Sequence, residues 1–225
     1  MRKFGMRNLH PHLFIQTMRR VPSKSLPAYL SAVAILLLLI LFFSLAEGGS
    51  TWSTGEKSLI KGSGVMRVLT IEDTADSLFL RTPSKNLSVK EIRSPEYTVL
   101  AERMLATVTS PEQDGVGIAG PQVGISRRIV AVQRFDKEGE PFEVYPNIRI
   151  TAQRGERQPG PEGCLSVPGR RGEVLRYRDI DITYTLPETG RDTTERVEGF
   201  TAVIFQHEID HLDGILYIDK LQEEN

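Results

Sequence analysis

Between Gly199 and Leu212 the apolar residues Ala202, Phe205, Ile209 and Leu212 recur at helical spacing, and Gly214 follows as a stop. The pattern predicts a helix. A second helix is predicted in "SPEYTVLAERMLATV". Ser94 stands at the N-cap and Pro95 at the first helical position, with Val99, Met104, Leu105 and Val108 on roughly one face. Between these helices the period changes. "RRIVAVQRF" (127–135), "EVYPNIRI" (143–150) and "DIDITYTL" (179–186) are short, β-branched and partly alternating, which predicts strands. Gly155, Pro159, Gly160 and Pro161 predict a loop ahead of Cys164. A helix, several strands and a final helix make an α+β domain.

Upstream the pattern is of another kind. Leu26–Ala46 is an uncharged, apolar run with no polar face, about long enough to cross a hydrocarbon core of roughly 30 Å. It is expected to be membrane-active, either as a single-pass anchor or as a signal peptide, since Ser44 and Ala46 are small residues placed like a cleavage site. A third reading takes "MRVLTIED" at Met66 as the natural start of the enzyme. The expected organisation is a basic arm (1–25), the apolar segment (26–46), a flexible Gly/Ser/Thr-rich linker (47–65) and a catalytic domain (66–225). The domain is expected to fold and work without the leader.

Charge sharpens this division. Residues 1–24 carry six basic side chains and no acid, so with a net charge of −1 overall the remainder carries −7. An acidic body argues against specific nucleic-acid binding, which needs clustered Lys and Arg. A lone cysteine excludes an intrachain disulfide framework, and His207 and His211 are the only histidines outside the leader.

Those two histidines lie in "FQHEIDHLDG". Four residues apart on a helix, two imidazoles share a face and can reach one metal ion. Glu208, beside the first, can handle the proton of a water there, and HExxH is the zinc-hydrolase signature for this reason. A catalytic centre usually has three protein ligands. Cys164 in "PEGCLSVPG" is one soft candidate, although taken alone it reads as a small buried hydrophobe. The run "DGVGIAGPQVGIS" (114–126) lacks the Gly-Lys-Ser/Thr ending of a phosphate loop. It is either a tight turn before the strand at Ile129 or a place where Gly115 and Gly117 let a substrate backbone approach while Gln122 points its amide at a reacting carbonyl.

Taken together and in order, the glycine-rich segment ending in Gln122, "EGCLS" and "QHEIDH" resemble the three signature motifs of the peptide deformylase family. The resemblance runs from about Met66 to Leu221 and leaves out the leader. It implies short antiparallel strands packed around a central metal-binding HExxH helix, and hydrolysis of the N-formyl group from the initiator methionine of new polypeptides. By resemblance Cys164, His207 and His211 bind a divalent metal. Ferrous iron is the metal implied, with Zn, Ni and Co suited to the same donors. Glu208 is then the acid/base, Gln122 and the Leu165 N–H form the oxyanion hole, Val116 and Gly117 pair with the peptide backbone, and Arg171 steadies the chain further out. A Glu162–Arg176 pair behind the cysteine loop is expected as support. One departure is Ala119-Gly120, where the family usually has two alanines; it is expected to loosen the backbone by about 0.5–1 kcal/mol.

Two other classes were weighed. A general HExxH metallopeptidase would normally lack the cysteine ligand. A membrane-tethered binding module without activity should have lost Glu208 or Gln122. Implied partners are N-formylmethionyl peptides and nascent chains, with transient proximity to the ribosome and membrane association through 26–46. Catalysis is expected in the cytoplasm or an organelle lumen. The basic flank conflicts with that, because it predicts that the body crosses the membrane.

Overall fold

The computed structural model describes residues 52–222. The basic arm, the apolar run 26–46 and residues 47–51 lie outside them. Among the described residues no helix is long and apolar enough to cross a membrane.

The chain begins with the helices α1 (Thr54–Ile60), α2 (Thr74–Leu80), α3 (Val89–Ile92) and α4 (Pro95–Val108). Each is started by a short polar side chain, Ser53, Asp73, Ser88 or Ser94, that accepts an N–H from the first turn. In α1 and α3 the spacing Ser-x-x-Glu closes a capping box. Helix α4 is the one predicted at Ser94, but its buried face is Tyr97, Leu100, Met104 and Val108. Val99, placed on that face by the sequence, is 37% exposed.

The strands are β1 (Gly117–Ala119), β2 (Ile129–Gln133), β3 (Phe142–Pro146), β4 (Arg149–Arg154), β5 (Gln158–Cys164), β6 (Val167–Arg176), β7 (Asp179–Thr185) and β8 (Asp192–Glu198), followed by helix α5 (Gly199–Leu212). They form antiparallel sheets in the orders β1-β2-β3 and β4-β7-β8, and a separate hairpin β5-β6. Helix α5 packs in the middle, as expected for an α+β fold around the HExxH helix. Its Ala202, Phe205, Ile209 and Leu212 share a core with Ala119, Val130 and Val132 of the first sheet and with Ile180, Ile182 and Val197 of the second. The alternate residues Ile118, Ile129 and Ala131 face a second core that includes α4. Covered on both faces, β2 is buried from Ile129 to Val132, which explains its nearly continuous apolar run.

Two expectations are corrected. The loop predicted at Pro159–Pro161 is strand: Pro159 pairs with Leu175, Gly160 with Val174 and Pro161 with Glu173. A two-stranded hairpin leaves each strand one unpaired edge, and a proline tolerates an edge because it has no N–H to donate. The second correction is to the flexible linker. Over residues 52–65 it is an ordered arm bound to the body. Trp52 is 5% exposed, in one core with Ile60, Leu87, Ile92 and Tyr97, and its indole N–H donates to Ser94 Oγ at 3.0 Å. Glu56 takes two bonds from the buried Arg127 guanidinium, 2.6 and 3.0 Å, while Glu91 pairs with the same guanidinium at 3.0 Å and Trp52 stacks against it. Arg103 donates to the carbonyls of Leu59, Ile60 (3.3 Å) and Gly64 (3.0 Å), closing the end of α1. The composition looked loose because three side chains, Trp52, Glu56 and Ile60, among many small ones are enough to dock one short helix.

The arm therefore belongs to the folded unit. Trp52→Ala in the full chain should cost about 3 kcal/mol of unfolding free energy, the usual scale for emptying a buried aromatic site. Urea unfolding of the metal-loaded protein measures it; an unchanged midpoint would show that the arm is decoration.

Candidate metal centre and substrate cleft

Helix α5 turns its His207 and His211 towards the hairpin β5-β6 and its Glu208 towards Gly117 of β1. At the hairpin's end a register shift between Gly163 and Cys164 breaks the ladder and turns the cysteine inward. Cys164 Sγ lies 3.1 Å from His211 Nε2, and ligand atoms of Cys164, His207 and His211 all fall within 4.8 Å of one another. His211 is 1% exposed and Glu208 4%. No other group of three or more metal-ligating side chains occurs among the described residues.

The support behind these residues is a chain of charges. Glu162 Oε2 lies 2.8 Å from His207 Nδ1, which leaves the other ring nitrogen to face Cys164. Arg176 donates to both oxygens of Glu162, at 2.7 and 3.0 Å, which is the pair expected from the sequence. Its remaining nitrogen reaches Asp210 at 2.5 Å, and Lys220 binds Asp210 from outside at 2.7 Å. Burial alone would raise the Glu162 carboxyl, but the bonds from His207 and Arg176 prevail and bring it down to about 2. The next helical turn is fixed by Gln206. Its amide donates to the carbonyls of Tyr177 (2.7 Å) and Ala202 (2.8 Å) and accepts the Tyr177 N–H at 3.1 Å. Gln206 and Asp210 were not assigned roles from sequence, although both stand inside the "QHEIDH" motif.

The donor set fits a divalent cation. A thiol and two imidazoles converge, and two buried atoms beside them, Glu208 Oε2 and His211 Nδ1, have no hydrogen-bond partner. Burial depresses the charged form of His207, yet its bonds to Cys164 and Glu162 and the nearby Glu208 lift it to about 10. Burial and the charge of the neighbouring His207 hold His211 well below the usual imidazole value. Burial raises Glu208 to about 7, with His207 opposing the shift.

The centre opens into a cavity of about 800 Å³ whose walls include Gly115, Val116, Gly117, Leu165, Arg171 and Phe200. Val203 and Ile204 line it as well, an apolar wall to which the sequence pattern assigned no role. Strand β1 is the outer strand of its sheet, so one edge of its backbone is unpaired, and Val116 and Gly117 stand on the cavity. Gln122, 1% exposed, sits in a single 3-10 turn, Gly120–Val123. Its Oε1 accepts the Ala119 N–H at 2.8 Å, and its Nε2 donates to Ser166 Oγ at 3.2 Å, with Cys164 Sγ at 3.7 Å. Every residue singled out from sequence thus comes to one place.

Two glycines have different reasons from those expected. A Cβ on Gly117 would lie 2.6 Å from Glu208 Oε1, so this glycine makes room for the carboxylate. A Cβ on Gly120 would lie 2.8 Å from the carbonyl oxygens of both Arg127 and Ile125. Gly120 does not loosen the segment; it allows its backbone to pack against that of 125–127.

A buried HExxH helix with a cysteine and an unpartnered carboxylate on one cleft defines a metal-dependent hydrolase. The chain matches the model of polypeptide deformylases over residues 65–225. It is 40% identical over 156 residues to the peptide deformylase of Halothermothrix orenii, covering 69% of this chain and 95% of that one. With the peptide deformylase of Symbiobacterium thermophilum it shares 46% identity over 114 residues, 51% of either chain. A class I type b peptide deformylase from Acinetobacter baumannii, solved with Met-Ala-Ser bound, superposes with a TM-score of 0.62 at 34% identity, covering 71% of this chain and all of that one. The chain belongs to the polypeptide deformylase family, and with it to the metal-dependent hydrolases that deformylate polypeptide N-termini.

Glu162→Gln should weaken metal binding by about 10- to 100-fold, the usual effect of losing a group that orients a ligating histidine. Competition with a chelator measures this, and unchanged affinity would remove Glu162 from that role. Gly120→Ala should destabilise the protein by about 1–3 kcal/mol, as forced overpacking does. Thermal unfolding of the metal-loaded variant tests it, and an unshifted transition would mean that the backbone yields easily.

Proposed function

We propose that Cys164, His207 and His211 hold one divalent cation, and that Glu208, Gln122 and the Leu165 N–H carry out deformylation of N-formylmethionyl peptides beside it. The observation that carries this is the convergence of the three ligand atoms within 4.8 Å beside a cleft that Gln122 and Glu208 also line. Ferrous iron is the resident metal in this reading; Zn, Ni and Co suit the same thiolate and imidazoles. The bound cation supplies a Lewis acid and a water of lowered pKa.

The remaining chemistry belongs to the side chains. Glu208, held near neutrality by burial, takes a proton from the attacking water and passes it to the leaving amine. The Gln122 amide and the Leu165 N–H donate to the oxygen of the tetrahedral intermediate as charge develops there. Formate leaves, and the methionyl peptide keeps its new amine. Val116 and Gly117 bind the peptide as an added strand on the open edge of β1, and Arg171 holds it further out. The Met-Ala-Ser bound to the Acinetobacter enzyme supports a linear peptide as the occupant of this cleft. Such substrates are nascent chains, so the enzyme works near ribosomes, in the cytoplasm or an organelle. Residues 26–46 are its proposed anchor or signal.

Glu208→Ala should keep the metal and lose about 10²–10⁴-fold in rate. Cys164→Ser should lose metal and most activity together, because a hydroxyl is a poor soft-metal ligand. Metal content and formate release are measured side by side, with formyl-Met-Ala-Ser as substrate and Met-Ala-Ser as control. Near-normal turnover by the Glu208 variant would refute its role, and a metal-replete, active Cys164→Ser would make the thiol a packing residue only.

A further inference from the structure

The segment Met66–Ile71 joins no sheet, yet the N–H groups of Met66, Leu69, Thr70 and Ile71 are all bonded. Met66 donates to Thr107 Oγ1 at 2.8 Å. Leu69 donates to the carbonyl of Gln122 at 2.8 Å, and Ile71 to the carbonyl of Ser166 at 2.9 Å. Gln122 belongs to the turn after β1, and Ser166 follows Leu165 at the tip of β5-β6. These two units lie in different sheets with no ladder between them. Among the described residues the gap is crossed by the Gln122–Ser166 side-chain bond at 3.2 Å, the longer contact to Cys164, the Leu165 side chain packed against the core of Val108 and Ile118, and this strap bonded to both backbones.

The strap is itself locked from behind. Asp76, 8% exposed in the first turn of α2, accepts the Thr70 N–H at 3.2 Å. It also takes both arms of Arg67, at 2.5 and 3.1 Å. Thr70 lies between the two residues that hold Gln122 and Ser166. A carboxylate that fixes Thr70 therefore fixes the direction of both bonds.

We infer that the strap 66–71, clamped by Asp76, sets the spacing between Gln122 and the Leu165–Ser166 backbone, and that Asp76 is a positioning residue for deformylation. The inference rests on the reading of Gln122 and Leu165 as the oxyanion donors. Asp76 touches neither substrate nor metal ligand. Its effect reaches the reaction through two backbone bonds, and donors that must meet a developing charge tolerate little displacement.

Asp76→Ala in the full chain should lower kcat about 10-fold, part of the roughly 10²–10³-fold that loss of an oxyanion donor costs. KM for formyl-Met-Ala-Ser and metal content should stay near wild type. Asp76→Asn, which keeps an acceptor for Thr70, should recover most of the rate. Arg67→Met, at a side chain 66% exposed, should show a smaller loss in the same direction and serves as the test if Asp76→Ala does not fold. The decisive measurement is the double variant. In a Gln122→Ala background Asp76→Ala should lower kcat by clearly less than it does alone, because only the hold on the Leu165–Ser166 backbone is then left to lose. If Gln122→Ala is damaging but Asp76→Ala is harmless or simply multiplies with it, the strap has no positioning role. If Gln122→Ala is itself harmless, the oxyanion assignment fails and the inference falls with it.

Discussion

Two carboxylates, a guanidinium and an imidazole, those of Glu162, Asp210, Arg176 and His207, lie largely out of water beside the cleft, where each is costly to leave unpaired. Breaking one partner out of such a group typically costs about 3–5 kcal/mol, so each residue constrains the next. Glu162 fixes the tautomer of His207, Arg176 fixes Glu162, and Asp210 ties Arg176 back to the helix that carries both histidines. The ring closes through three elements, β5, β6 and α5. That closure is why a two-stranded hairpin outside both larger sheets can hold a metal-ligand candidate in place.

The same helix faces two ways. Its apolar side is held between two sheets, while the polar side contributes to the ring and to the cleft. The glycines follow from this crowding. Gly117 yields its side-chain space to Glu208, and Gly120 yields its own to passing backbone. Neither is required by a positive φ; both are places where a methyl group has nowhere to go.

Much of this was legible in the chain. The final helix was readable from end to end because its apolar residues keep one period and a glycine ends it. The candidate site was readable because histidine and cysteine are scarce and the three motifs stand in order. What was hidden has a physical reason in each case. The hairpin β5-β6 is rich in Gly and Pro and has no alternating apolar pattern; it exists because each strand supplies the other's hydrogen bonds. The face of α4 was misjudged by one position, as Val99 and Leu100 are equally apolar and only packing chooses between them. Roles for Gln206 and Asp210 were missed because they bind backbone and charge at a distance in sequence, not chemistry at hand. The arm at 52–65 was mistaken for linker because the partners of Trp52 and Glu56 lie 42 and 71 residues away.

That arm also bears on how sequences of this kind change over time. The family match begins at residue 65, but Ser94, Arg103 and Arg127 within it spend their side chains on residues before it. An arginine buried at 127 has a carboxylate from the arm as its bidentate partner beside Glu91, and a chain without the arm would lose the arm's share of that pairing. Positions 52, 56, 103 and 127 should therefore be inherited or replaced as a set. Covariation among them would mark which relatives carry an arm, even where the arm itself is too short and too ordinary in composition to be aligned.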